Sequence, residues 1–250
     1  MSKRDREGMS KREMFREKRR RTDTRNRLVA IGLIVVGAAL VAFFLIWPTL
    51  RPVDVVTVKP LARSQVDSNQ AGDPNARVKL DEYSDFQCPY CARFSEQTEQ
   101  AVLDAYVATG KVFFTYHSVG EFIGPESSRS AEAAHCAGDQ NKFWEYHDIV
   151  LGNQRGENAG WFSTRRLTAL AEAVGLDMSQ FNSCFNNGKH RERVRQELFD
   201  ARNLGIQSTP TFIISYEANG QTATDTIKGA EAFSVFQQRL DAALVAAGAQ

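Results

Sequence analysis

Residues 28–47 (LVAIGLIVVGAALVAFFLIW) run for 20 positions without a charged or strongly polar side chain. That is the length a helix needs to cross the hydrocarbon core of a bilayer. A helix is also what lipid demands of a single spanning segment, because no water is there to satisfy backbone N–H and C=O groups. Trp47 stands at the far edge, where an indole prefers the interface, and Pro48 ends the stretch. A cleaved signal peptide would have a shorter apolar core followed by a small-residue cleavage site. Here the stretch closes on bulky Phe43, Phe44, Leu45, Ile46 and Trp47, so an uncleaved anchor is expected. A buried soluble helix seldom lacks a polar face completely.

The flanks orient this anchor. Twelve Lys and Arg lie between Lys3 and Arg27, including the run Lys18-Arg19-Arg20-Arg21, whereas only Arg51, Lys59 and Arg63 follow closely. A basic tail of this kind (1–27) is read as a nucleic-acid arm, as a helix of its own, or as a cytoplasmic flank that also touches anionic lipid; the adjacent span selects the last. The overall net charge of +1 argues against a nucleic-acid partner. The expectation is a single-pass protein of the cell membrane, with its N-terminus cytoplasmic and everything after Trp47 extracytoplasmic. Residues 48–75, with Pro52, Pro60 and Pro74, read as a linker in which 53–58 forms a small strand. A domain over 76–247 follows, in a compartment where disulfides persist.

Within that domain the stretch Phe86-Gln87-Cys88-Pro89-Tyr90-Cys91 falls between an alternating strand pattern (78–83) and a helical one (89–108). A Cys-x-x-Cys there puts the first thiol at a helix N-terminus, where unpaired N–H groups and the positive end of the dipole favour thiolate. Such a placement lowers a cysteine from about 8.5 into roughly the 3.5–7.5 range. Cys91, one turn on, is placed to resolve a mixed disulfide. Pro89 suits the first helical position, since its missing N–H would be unpaired there anyway. In the strand, Val78, Leu80 and Glu82 share the apolar parity, so Glu82 points inward. Two readings of Glu82 stand: a strand-end acid reaching solvent, or a partly buried acid that exchanges a proton with Cys91.

The remaining pattern gives a strand at 111–117 and helices at 125–137, 140–151, 163–174, 177–186 and 189–204. Strands at 211–216 and 222–228, joined by a loop around 217–220, precede a last helix at 230–247. Ser163 and Asp177 are expected N-caps. The expected fold is an α/β layer interrupted by an all-helical insertion over about 120–204.

FQCPYC after a strand, the helical insertion, the segments Ala133-Ala134-His135-Cys136-Ala137 and Phe143-Trp144-Glu145-Tyr146-His147, and Ser208-Thr209-Pro210-Thr211-Phe212 before a strand resemble the DsbA-like branch of thioredoxin-fold proteins. The resemblance covers 76–247, and the anchor resembles the plan of tethered bacterial members. It implies a thioredoxin-like fold in which Cys88 attacks, Cys91 resolves, Glu82 is the buried acid and Thr209-Pro210 is a cis-proline loop facing the site. It further implies disulfide exchange in cysteine-containing exported proteins, recycling by a membrane redox partner, and no organic cofactor. Pro89 and Tyr90 tune the couple: the best-known oxidases of the branch carry His where Tyr90 stands, so a less oxidising site is expected. A reductase or isomerase is the rival within this chemistry, and a tethered metal or folding chaperone the rival outside it.

Cys136 and Cys184 sit on two different expected helices. A structural disulfide, two buried free thiols, and a metal site shared with Cys88 and Cys91 remain as readings. His117, His135, His147 and His190 are scattered and read as surface or capped core residues, so no metal site is expected. The stripe Phe143, Trp144, Tyr146 reads as helical core.

Overall fold

A computed structural model describes residues 11–120 and 122–248; residues 1–10 of the basic tail lie outside them. The chain divides into two units, 1–52 and 53–250. The first is helix α1 (Lys11–Leu50), which contains the apolar stretch 28–47; its most apolar window of 18 residues has a mean hydropathy of 3.0. Residues 28–47 are apolar on every side and exposed, with Leu33, Ile34 and Phe44 about 70% exposed (69%, 71% and 72%). In water that surface would be costly; in lipid it is the solvated surface.

The second unit is built on a five-stranded sheet in the order β1-β3-β2-β4-β5. The strands are β1 (Gln70–Ala71), β2 (Val78–Ser84), β3 (Val112–Ser118), β4 (Thr211–Ala218) and β5 (Gln221–Lys228). β2 pairs parallel to β3 and antiparallel to β4. The central position of β2 follows from its residues: Val78 and Leu80 are fully buried, as are Phe114 of β3 and Phe212 and Ile214 of β4 at its sides. β5 shows the opposite composition, Thr-rich and mostly exposed, as an edge strand should be. Between β4 and β5 the turn is only Asn219-Gly220, both at positive φ (55° and 75°). That is the two-residue hairpin geometry whose twist matches the strands, tighter than the loop expected over 217–220.

The parallel β2–β3 pair requires a crossover. It is made by a helical rod over 89–107: α2 (Pro89–Phe94) and the single turn α3 (Gln100–Val102), each followed by a π-helical turn. Phe94 anchors the rod on the sheet, 4.5 Å from Phe212 and 5.2 Å from Phe236 of the closing helix α9 (Phe233–Ala246) between ring centroids. Between β3 and β4 come α4 (Pro125–Gly138), α5 (Phe143–Gly152), α6 (Thr164–Ala173), α7 (Met178–Asn187) and α8 (Arg191–Asn203). This is the thioredoxin-like sheet with its helical insertion. Asp177 caps α7, accepting from the N–H groups of Ser179 and Gln180, and Gly188 at φ 62° ends that helix. Ser163 occupies the N-cap position of α6 but makes no capping bond.

Two expectations for the linker are corrected. Residues 53–58 form no strand: the edge beside β3 is taken by β1, and the Val56 backbone is satisfied at both N–H and C=O by the Asn153 side chain, each at 2.8 Å. Nor are residues 53–75 a free tether, because Val55, Val58 and Leu61 pack on the core. The strap is also pinned by a buried ion cluster. Arg63 reaches Glu99 at 2.6 Å and both oxygens of Asp148 at 2.8 Å, with its guanidinium 4.2 Å from the Trp144 ring centroid.

The Arg63 side chain is 1% exposed, so removing it strands two buried carboxylates. Arg63→Met should therefore cost about 3–5 kcal/mol of stability. The measurement is the urea midpoint of the full chain in detergent, and a loss below about 1 kcal/mol would show the cluster to be dispensable.

Candidate active site

β2 delivers the chain to the site through the loop Asp85-Phe86-Gln87, and Cys88 then stands at the N-cap of α2 in an extended conformation (φ −72°, ψ 120°). Pro89 occupies the first helical turn. Cys88 is 5% exposed and Cys91 is fully buried, and both are free thiols. The inequality follows from the helix: Cys88 lies at its open end, whereas Cys91 has turned inward against the sheet. Thr209-Pro210 is cis and closes the other side of the site, with the Cys88 thiol donating to the Thr209 carbonyl at 3.3 Å. Among the described residues nothing accepts from the Thr209 N–H. Tyr90 is 55% exposed, its ring 4.7 Å from the Arg93 guanidinium.

The two sulfurs are pushed in opposite directions. Hydrogen bonding from the Cys91 thiol, helped by the backbone N–H groups of Cys91 and Tyr90, lowers Cys88 to about 6 against the cost of its burial. Burial and the neighbouring Cys88 raise Cys91 well above a free cysteine. The pair is thus polarised: one sulfur carries the negative charge and the other the proton.

Beneath them lies Glu82, 1% exposed, paired in the sheet with Tyr116 of β3 and Phe212 of β4. The structure therefore places it in the interior and not at a solvated strand end. Burial first and the charge of Glu99 second raise it well above an ordinary carboxyl group. One Glu82 oxygen and the Tyr116 hydroxyl have no hydrogen-bond partner among the described residues. A carboxyl so placed holds its proton more tightly than an ordinary one, and one of its oxygens is left open for a proton partner.

A second buried acid was not singled out in the sequence. Asp85 is 1% exposed and is raised by its burial to about 6. The signal present was its position three residues before Cys88, but loop residues carry no periodicity from which burial can be read.

The other cysteines take no part in this geometry. Cys136 of α4 and Cys184 of α7 are bonded to one another, with Cα atoms 5.8 Å apart. Each histidine meets an acid: His117 Asp81, His135 Glu197, His147 Asp148 and His190 Asp139. Two clusters place three metal-ligand types within reach of one another among the described residues. In one, Cys136 and Cys184 are consumed by their disulfide beside His190; in the other, Arg63 already supplies the cation for Glu99 and Asp148 beside His147.

Comparison with known proteins agrees with this architecture. A family profile described as thioredoxin matches residues 64–230. The "Probable disulfide bond formation protein D" of Bacillus anthracis is 25% identical over 195 residues, covering 76% of this chain and 88% of that protein. The "Na(+)/H(+) antiporter NhaA 1" of Salinispora arenicola is 31% identical over 145 residues, 58% of this chain. The match spans only 21% of that antiporter, so it concerns one segment of a longer protein. Among solved structures, oxidised BdbD from Bacillus subtilis superposes with a TM-score of 0.62 at 19% identity, covering 77% of this chain and all of that one (100%). Wolbachia pipientis α-DsbA1 gives 0.62 at 21% identity over 72% of this chain and 92% of its own. The profile spans well over half of the chain, and it includes the paired cysteines, the helical insert and the cis-proline loop. The chain therefore belongs to the thioredoxin family.

Proposed function

We propose that the protein is a membrane-anchored dithiol oxidase that transfers the Cys88–Cys91 disulfide to cysteine pairs of exported proteins. The observation that carries this reading is the opposed acidity of two sulfurs in contact. A substrate thiolate attacks Cys88 Sγ, the sulfur at the open end of the helix; a substrate–Cys88 disulfide forms and the Cys88–Cys91 bond breaks. Cys91 leaves as a thiolate in a buried setting that disfavours its charge, and it takes a proton from Glu82. A second substrate thiolate then attacks the mixed disulfide, and Cys88 departs as the thiolate that its environment stabilises. Two electrons pass from substrate to protein. They leave again through a partner, for which a membrane-embedded redox protein is the fitting class. The Thr209 N–H and C=O offer strand-like pairing to an extended substrate segment beside Cys88.

The basic flank of α1 supports placing the N-terminus in the cytoplasm and the site outside. Tyr90 cannot lend the positive charge of an imidazolium to the thiolate, which supports an oxidant weaker than the strongest of the branch.

Three measurements test the reading. The reduction potential of the Cys88–Cys91 couple should lie between about −120 and −270 mV, and a value at or below thioredoxin's about −270 mV would make the protein a reductase. Stoichiometric metal in the purified protein, with Cys88 inert to alkylation at neutral pH, would instead favour the chaperone rival. Glu82→Gln should slow exchange roughly tenfold to a hundredfold at neutral pH without lowering the affinity for substrate peptide. The same variant has a pH signature. A carboxyl raised in the folded state leaves stability intact below its ordinary value and loses it as pH rises from there through the raised value. The decline in urea midpoint as pH rises out of the ordinary carboxylate range should thus be shallower in Glu82→Gln, and identical curves would remove Glu82 from the proton's path.

A further inference from the structure

Asp85 is the acid nearest in sequence to the attacking sulfur, and the exchange steps above give it no part. The Cys88 N–H donates to the Asp85 carbonyl at 2.9 Å, closing a four-residue turn over Asp85-Phe86-Gln87-Cys88. Such a turn keeps its end residues within about 7 Å of one another. The Asp85 N–H lies 3.5 Å from Cys91 Sγ, so one residue touches both halves of the couple through its backbone. Its side chain is locked as well: Oδ1 accepts from Gln87 N–H at 2.8 Å, and Oδ2 accepts from Ile123 N–H at 3.3 Å. The Gln87 side chain carries the latch on to Ser127 of α4, 2.8 Å away. Among the described ion pairs no Lys, Arg or His reaches this carboxylate.

We propose that Asp85 is a positioning residue with an electrostatic output: ionised, it opposes the Cys88 thiolate and restrains the site as an oxidant; protonated, it lifts that restraint. The inference rests on the reading of Cys88 as the reactive thiolate. The Cys88 charge raises Asp85 in turn, so the two anions disfavour one another. The remaining groups facing the couple do not mask the effect. Burial favours the uncharged forms of Glu82 on β2, Cys91 on α2 and Tyr116 on β3, while Glu99 in the crossover rod is ion-paired with Arg63. Thr209 and Ser127 bring no charge. Asp85 titrates near 6, as Cys88 does, so the two ionisations overlap and interfere.

The test is the titration of thiolate absorbance in the reduced full-length protein in detergent, together with its equilibrium against glutathione. The wild-type curve should be broad, with two coupled steps. Asp85→Asn should collapse it to one step at lower pH, with the thiolate-to-thiol ratio raised on the order of threefold to tenfold. The glutathione equilibrium should move toward reduced protein by a similar factor. Ser127→Ala removes a hydroxyl that holds Asp85 down without removing its charge, so it should move the Asp85 step to higher pH and leave two coupled steps. A curve unchanged or moved to higher pH in Asp85→Asn, with wild-type Cys88 still acidic, overturns the role of Asp85 alone. A single one-proton step in the wild type does the same without any variant. Wild-type Cys88 ionising like a free cysteine removes the proposed function and this inference together.

Discussion

The chemistry of this protein depends on a contact between two sulfurs placed on either side of a helix terminus. Cys88 stands where the backbone N–H groups of Cys91 and Tyr90 are still unspent, and the Cys91 thiol points at it from below. Neither feature alone would polarise the pair so far. The N–H groups supply a fixed positive field, and the buried thiol supplies a donor that stays a donor because its own ionisation is suppressed. The fold exists to keep those two conditions together. Parallel pairing of β2 and β3 forces a crossover, the crossover is the helix, and Phe94 wedged between Phe212 and Phe236 fixes its height over the sheet.

Buried charge is the second organising theme, and it is handled in two ways. Where the structure buries permanent charge, it pairs it: Arg63 lies between Glu99 and Asp148, one guanidinium against two carboxylates, with His147 beside Asp148. Where the reaction needs charge to change, acids are left without a cation: Glu82, proposed to pass a proton, and Asp85, proposed to oppose the thiolate. The first arrangement stabilises, and the second leaves the charge at the site responsive to pH. Both lie under the same helical rod, within a few turns of each other.

Much of this was legible in the residues. The alternation of Val78, Leu80 and Glu82 showed which way Glu82 faces, because strand parity is a local property. The Cys-Pro-Tyr-Cys segment announced a helix start, and the uncharged stretch 28–47 announced a span. What stayed hidden is non-local. Arg63 reads as one more basic residue in a proline-flanked linker, since its partners lie 36 and 85 positions away. The apolar run at 53–58 looked like a strand, but the available sheet edge was already taken, and its backbone found a side chain instead. The hairpin expected over 217–220 is tighter, because Asn219 and Gly220 both take positive φ and let Glu217 and Ala218 join the strand.

The bond between Cys136 and Cys184 sets a condition on how this molecule is made. It joins α4 to α7 across 48 residues of chain, and neither sulfur reaches the reactive pair. A ribosome releases the polypeptide with all four cysteines reduced, so the insert is unfinished until some oxidant closes its staple. On the function proposed here, each newly exported copy arrives as a client of the reaction it will later perform, and finished copies can serve as its first supply of oxidising equivalents.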